Sequence, residues 1–227
     1  MYDYNRLKNL IIPGQFGPDD YGEETDSMEQ IMDQLPEEVD VCWGATQFVI
    51  IDPEQDKVAK FAFNGEYYWN EETYEDENEE TFNIPTFEPY HKDYADLGYD
   101  LFCKAEEEDI DILFAKVEFF GKTVSGNKIY LQEKVISYDD DWSGSSEKNS
   151  ENSKNSYKKL VEENSFNGIK WFPKAWATAV IEWYGEELLK AFLKFINKYN
   201  LTDWHDGNIG WRKDGSPCIL DWAGYDE

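Results

Sequence analysis

Three oxygen-bearing side chains recur at short spacing near the end of this chain. Asp203 and Asn208 are five apart, and Asp221 follows Asn208 by thirteen. The first two lie in Leu201-Thr202-Asp203-Trp204-His205-Asp206-Gly207-Asn208, the third in Ile219-Leu220-Asp221-Trp222. Between Asn208 and Asp221, two apolar runs flank the turn residues Lys213-Asp214-Gly215-Ser216, which predicts a β-hairpin. The order is thus a loop, a hairpin, and a carboxylate at the hairpin's exit. A single Asp or Asn in a loop is ordinarily turn chemistry. Together they offer more: amide and carboxylate oxygens suit a hard cation such as Mg²⁺, and the upstream Asp can orient an attacking hydroxyl. Phosphoryl transfer needs those parts.

The pattern Asp203-x-His205-x-x-Asn208, with Asp221 after the hairpin, resembles the protein-kinase-like superfamily. Its form is similar to that of choline and aminoglycoside phosphotransferases and of short bacterial and phage kinase-like proteins. The resemblance implies ATP and Mg²⁺ as cofactors, with Asp203 orienting the acceptor hydroxyl and Asn208 and Asp221 holding the metal. His205 stands where classical protein kinases carry Lys, to contact phosphate or brace the loop. Leu201-Thr202 replaces the usual His-Arg, so regulation through a phosphorylated activation loop is not expected. Lys60, in Val58-Ala59-Lys60-Phe61, matches the strand lysine that neutralises the α- and β-phosphates. Its implied partner is an acidic helix residue, Glu72 in preference to Glu75. Gly44, Ala45 and Thr46 take the place of the phosphate-covering loop, with one glycine where that motif has three; the same residues also read as an ordinary hairpin turn. Glu133, in Gln132-Glu133-Lys134-Val135, takes the place of the hinge beside the nucleotide. Six residues follow Asp221, so the resemblance spans Val39 to Gly224 with half a C-lobe.

Several elements must position these residues. Ser27 to Gln34 reads as a short helix with Ser27 as N-cap, ended by Pro36. Val39–Trp43, Gln47–Ile51 and Lys57–Phe63 read as antiparallel strands. Tyr68 to Glu80 is expected as a helix, then Asp109–Gly121 and Asn127–Ile136 as strands completing a five-stranded sheet. Tyr138 to Lys158, poor in apolar residues, reads as a linker. Beyond Pro173, apolar residues from Trp176 to Tyr199 recur at helical spacing, divided by Gly185 into two helices, the second being Glu186–Tyr199. The expected fold class is α+β: a two-lobed kinase-like fold with an antiparallel N-lobe sheet and a reduced, mainly helical C-lobe. The expected divisions are 1–38 as an extension, 39–136 as N-lobe with an acidic insertion, and 137–227 as linker and truncated C-lobe.

Charge narrows the partners. The formal net charge is −28, which argues against binding to nucleic-acid backbone or an anionic membrane surface. From Glu66 to Asp111, seventeen Asp/Glu face two Lys, so this block is expected to be solvated or to meet a basic protein. The three cysteines are widely spaced, without a CxxC pair, which suits free thiols in a reducing compartment. Met1 to Pro13 lacks a long apolar core, so a cytoplasmic protein is expected, in a host cytoplasm if phage-encoded. The acceptor would be a protein Ser/Thr or a small hydroxylated molecule. A second reading from the same residues is an inactive pseudokinase: an acidic binding protein acting on a basic partner, as in phage counter-defence.

Overall fold

The computed structural model of the chain describes residues 1–75, 81–138, 151–162, 173–201 and 206–222. The architecture is mixed α+β with antiparallel sheets, in two units: Met1–Tyr99 with Val117–Gln132, and Asp100–Lys116 with Glu133–Glu227. Among the described residues no helix is long and apolar enough to cross a membrane.

The first unit is built on a five-stranded sheet. Strands β1 (Asp40–Trp43), β2 (Gln47–Ile51) and β3 (Lys57–Ala62) form an antiparallel meander. After a long excursion, β6 (Val117–Lys122) and β7 (Lys128–Glu133) complete the order β1-β2-β3-β7-β6. Side chains alternate across a strand, so Phe48, Ile50, Ala59, Phe61, Ile129 and Leu131 all enter one buried core. Residues from the first 38 positions cover that face: Tyr2, Tyr4, Leu7, Leu10, Ile12, Phe16, Met28 and Ile31 belong to the same core. Phe16 is fully buried, its ring 4.9 Å from that of Phe63 and 5.7 Å from that of Phe48. The helix in this segment, α1 (Asp26–Met32), has Thr25 at the N-cap position; Ser27 lies inside it, its hydroxyl 2.7 Å from that of Thr25.

Polar pins hold the covering segment. Asp52, in the β2–β3 turn, is buried and accepts the Tyr2 N–H as well as the Glu54 N–H at 2.8 Å. Asn64 accepts the Phe16 N–H at 2.7 Å and donates to the Gly14 carbonyl at 3.0 Å. Gly17 and Gly65 meet back to back: a Cβ on Gly17 would lie 1.8 Å from the Gly65 carbonyl oxygen.

The acidic excursion corrects one expectation. Residues expected as a helix over Tyr68 to Glu80 instead enter β4 (Gly65–Glu75), paired antiparallel with β5 (Thr81–Pro89); positions 76–80 lie outside the described residues. On a helix, Glu71, Glu72, Glu75, Asp76 and Glu79 would stack like charges three and four apart, whereas Tyr, Trp and Thr favour a strand. The helix that precedes the last two sheet strands is α2 (Tyr94–Glu107). Asp93 caps it, accepting the Asp96 N–H at 3.0 Å. Burial pushes the Asp93 carboxyl pKa up, with the Lys128 charge opposing. The expected strand Asp109–Gly121 begins only at Val117; Asp111–Leu113 is a 3-10 turn.

The second unit is mainly helical: α3 (Glu151–Glu162), α4 (Lys174–Tyr184) and α5 (Glu186–Lys198). The presence of α3 corrects the linker expected to Lys158; positions 139–150 lie outside the described residues. Pro173 is the N-cap of α4. Gly185, at φ 91°, separates α4 from α5, a conformation that glycine adopts without strain. A three-stranded sheet in the order β10-β9-β8 joins Ile136–Ser137 (β8), Ile209–Trp211 (β9) and Pro217–Ile219 (β10). Phe114 is fully buried here, its ring packed on those of Trp222, Phe195 and Phe192 at 5.0 to 5.9 Å.

Phe16→Ala is expected to destabilise the first unit by about 3–5 kcal/mol, read by urea denaturation; near-parental stability would mean that the N-terminal segment is dispensable to the core. Asp93→Asn keeps the cap, since Asn and Asp cap equally well, and removes a partly desolvated charge. Because the folded pKa is raised, parental stability falls as pH rises from the unfolded to the folded value. The variant's advantage in urea midpoint is therefore expected at pH 7 and should vanish near pH 4.

Candidate functional site

The β9–β10 hairpin brings two of the expected site residues together. Cys218 pairs with Gly210 and Ile219 with Ile209, so the strands run out at Asn208 on one side and Leu220 on the other. The Asn208 carbonyl accepts the Leu220 N–H at 3.0 Å and the Asp221 N–H at 3.3 Å. Asn208 is buried and ends a 3-10 turn, Asp206–Asn208. Asp221 is half-buried, and its Oδ1 accepts the Trp222 N–H at 2.8 Å. The hairpin is shaped by its turn: Asp214 Oδ1 accepts the Ser216 N–H at 2.9 Å and hydroxyl at 2.7 Å, which holds the Asp214 carboxyl below its ordinary pKa. Gly210 admits no side chain, because a Cβ there would lie 2.2 Å from the Ile136 carbonyl oxygen of β8. Two oxygen-donor residues of this kind fit a hard divalent cation completed by water or phosphate oxygens. Among the described residues no group of three or more His, Cys, Asp or Glu is placed to hold a metal. Asp203 and His205 lie outside the described residues.

In the first unit, Lys60 lies on β3 opposite Val49, which lies opposite Cys42. These three share the sheet face turned away from the core formed by Ala59 and Phe61. The Cys42 thiol is exposed on this face, near the Lys60 ammonium. Gly44, Ala45 and Thr46 form the tight β1–β2 turn: the Gly44 N–H donates to the Gln47 carbonyl at 3.1 Å. The Ala45 carbonyl accepts the Tyr90 hydroxyl at 2.9 Å, and the Thr46 carbonyl accepts the Phe63 N–H at 2.9 Å. Glu72 lies on β4, a strand and not a helix, and its side chain is outside the described residues.

Glu133 is the last residue of β7. Its carboxylate accepts Arg212 Nε at 2.9 and 3.1 Å, and its backbone N–H donates to the Lys116 carbonyl at 2.8 Å. Arg212, just after β9, also donates to the Phe114 carbonyl at 2.8 Å and the Tyr184 hydroxyl at 3.3 Å. Tyr184 Oη in turn donates to the Pro217 carbonyl at 3.2 Å. One guanidinium thus ties the end of β7, the end of α4 and both sides of the hairpin. Sequence reasoning missed it, because Arg212 read only as a residue beside a turn and its partners are 28, 79 and 98 positions away. Burial pushes the Cys218 thiol up to about 12, leaving it an inert core residue.

Comparisons with protein-family models, curated proteins and solved structures found no match.

Arg212→Leu leaves the half-buried Glu133 carboxylate without its cation and is expected to cost about 1–3 kcal/mol, measured as a shift in urea midpoint. Arg212→Leu combined with Glu133→Leu should recover much of that loss, because the stranded charge is gone. A double variant as unstable as the single one would show that the pair is not the hairpin's anchor.

Proposed function

We propose that this chain is a minimal kinase that moves the γ-phosphoryl group of Mg·ATP to a hydroxyl acceptor. The observation that carries this reading is the hairpin that sets Asp221 against Asn208. The sheet supports it: Lys60 lies on the third strand of a meander, and a helix precedes the two strands that finish the five-stranded order. On this reading the fold is kinase-like, with the first unit as N-lobe and the second as a reduced helical C-lobe. The bound metal supplies charge neutralisation of the phosphates. Asn208 and Asp221 hold it through oxygen, Lys60 binds the phosphates by charge, and Asp203 accepts the hydrogen bond of the acceptor hydroxyl and orients it. Catalysis of this kind is positioning and electrostatic stabilisation.

The acidity favours a second reading, a noncatalytic binder of a basic protein. The net charge of −28 is far more than a metal site requires and steers cationic partners.

Nucleotide titration separates the two. Saturating Mg·ATP is expected to stabilise the protein by about 2.7 kcal/mol at 100 times Kd, a melting shift of roughly 5–10 °C. Asp221→Ala or removal of Mg²⁺ should abolish most of it. Asp203→Asn should keep that shift and lower phosphoryl transfer about 10²–10⁴-fold. No heat of binding at millimolar Mg·ATP would rule out the kinase and leave the binder.

A further inference from the structure

A cavity of about 420 Å³ opens in the second unit, between α2, the Asp111–Leu113 turn, the end of α4 and the β9–β10 turn. Ile112 and Trp183 both line it, and each is 50% exposed. They are the only large hydrophobic side chains so exposed among the described residues of this unit. Large apolar side chains gathered at one concave place mark a contact site. The charge around them is uneven. Arg212 also lines the cavity, but Glu133, Tyr184 and the Phe114 carbonyl engage its guanidinium. Of the remaining charged groups, Glu106, Asp111 and Asp214 are acidic and Lys116 alone is basic. Asp214 is engaged by Ser216 within its turn. The carboxylates of Glu106 and Asp111 have no hydrogen bond or ion pair among the described residues.

From this we infer that the cavity is a docking site for a short segment of a partner protein, one that carries Arg or Lys beside an apolar residue. The cationic side chain meets Glu106 and Asp111, and the indole of Trp183 offers it a cation–π face. The neighbouring apolar side chain packs on Ile112 and Trp183, where most of the binding energy is expected. Charge complementarity selects this occupant over a second copy of the chain, since two bodies of charge −28 repel. The site does not include Lys60, Asn208 or Asp221, and the inference stands whether or not the chain transfers phosphate.

The test uses the full chain and a short fluorescein-labelled peptide in which Arg and Leu alternate with Gly, read by anisotropy at about 0.15 M salt. Binding is expected below about 1 mM. Replacing the Leu residues of the peptide by Ser, or its Arg residues by Gln, should weaken it at least about tenfold, roughly 1.4 kcal/mol. Ile112→Ser and Asp111→Asn in the protein should each do the same with a nearly unchanged melting temperature, because Ile112 is half exposed and Asp111 partly so. The inference is overturned by any of three results. The parent peptide fails to bind; the Ser peptide binds as well, which is mere polyelectrolyte attraction; or Ile112→Ser converts a dimer to a monomer, which makes the face a self-interface.

Discussion

The face of the five-stranded sheet that carries Phe48, Ile50, Ala59, Phe61, Ile129 and Leu131 has to be kept from water. An isolated sheet cannot do this, and among the described residues neither the β4–β5 hairpin nor α2 contributes to that core. The first 38 residues do it, through Leu7, Phe16, Met28 and Ile31. Such burial contributes of order 1.5–3 kcal/mol for each large side chain, enough to order a segment with little regular structure. The polar pins follow from the same need. A covering segment whose strand pairing is limited to a bridge from Asp19 to Tyr67 leaves other backbone groups that must find partners, and Asp52 and Asn64 supply them from turns that the sheet already fixes. With one face closed in this way, Lys60 is left on the other.

The second unit meets its constraint with charge as well as packing. Its short hairpin has three residues in each strand, too few to hold a register alone. Arg212 and the close approach of β8 to Gly210 fix it from both sides. An ion pair drawn partly out of water is costly unless its donors find acceptors. Arg212 reaches a carboxylate, a carbonyl and a hydroxyl, and the planar guanidinium suits this division where a lysine does not. The position of Asp221 beside Asn208 therefore depends on residues outside the proposed metal site.

How much of this was legible in the sequence depends on where each element gets its stability. Strands β1, β2 and β3 were readable because alternation and turn residues are local, and Gln47–Ile51 was placed residue for residue. The hairpin around Gly215 and the break at Gly185 were readable because both glycines take positive φ. The strand β4 was not, since a run of Glu has helix propensity in isolation and only the pairing with β5 and the charge spacing reverse it. Nor was α3: among its described side chains Ser153 and Leu160 are buried and Tyr157 is partly so, set among Asn, Ser and Lys that mask the pattern. Of the candidate site, the Asn208–Asp221 approach followed from counting residues around a hairpin. The Arg212 network did not, because nothing in a local window reveals partners from α4 and β7.

The same surplus of acid acts in opposite directions on the two proposed ligands. Mg·ATP is anionic, so a field set by −28 charges lowers its local concentration, and on the kinase reading proposed above affinity would have to come from short-range contacts to Lys60 and to the metal. At physiological salt the field falls off over about 8 Å, so a lysine and a divalent cation a few ångströms from the phosphates outweigh carboxylates farther away. A basic segment is instead drawn toward the protein from a distance, and its final position is set by unpaired carboxylates and by Ile112 and Trp183. Screening by salt weakens both effects of the field. It removes repulsion in the first case and attraction in the second, so the salt dependence of binding carries opposite signs for the nucleotide and for the peptide.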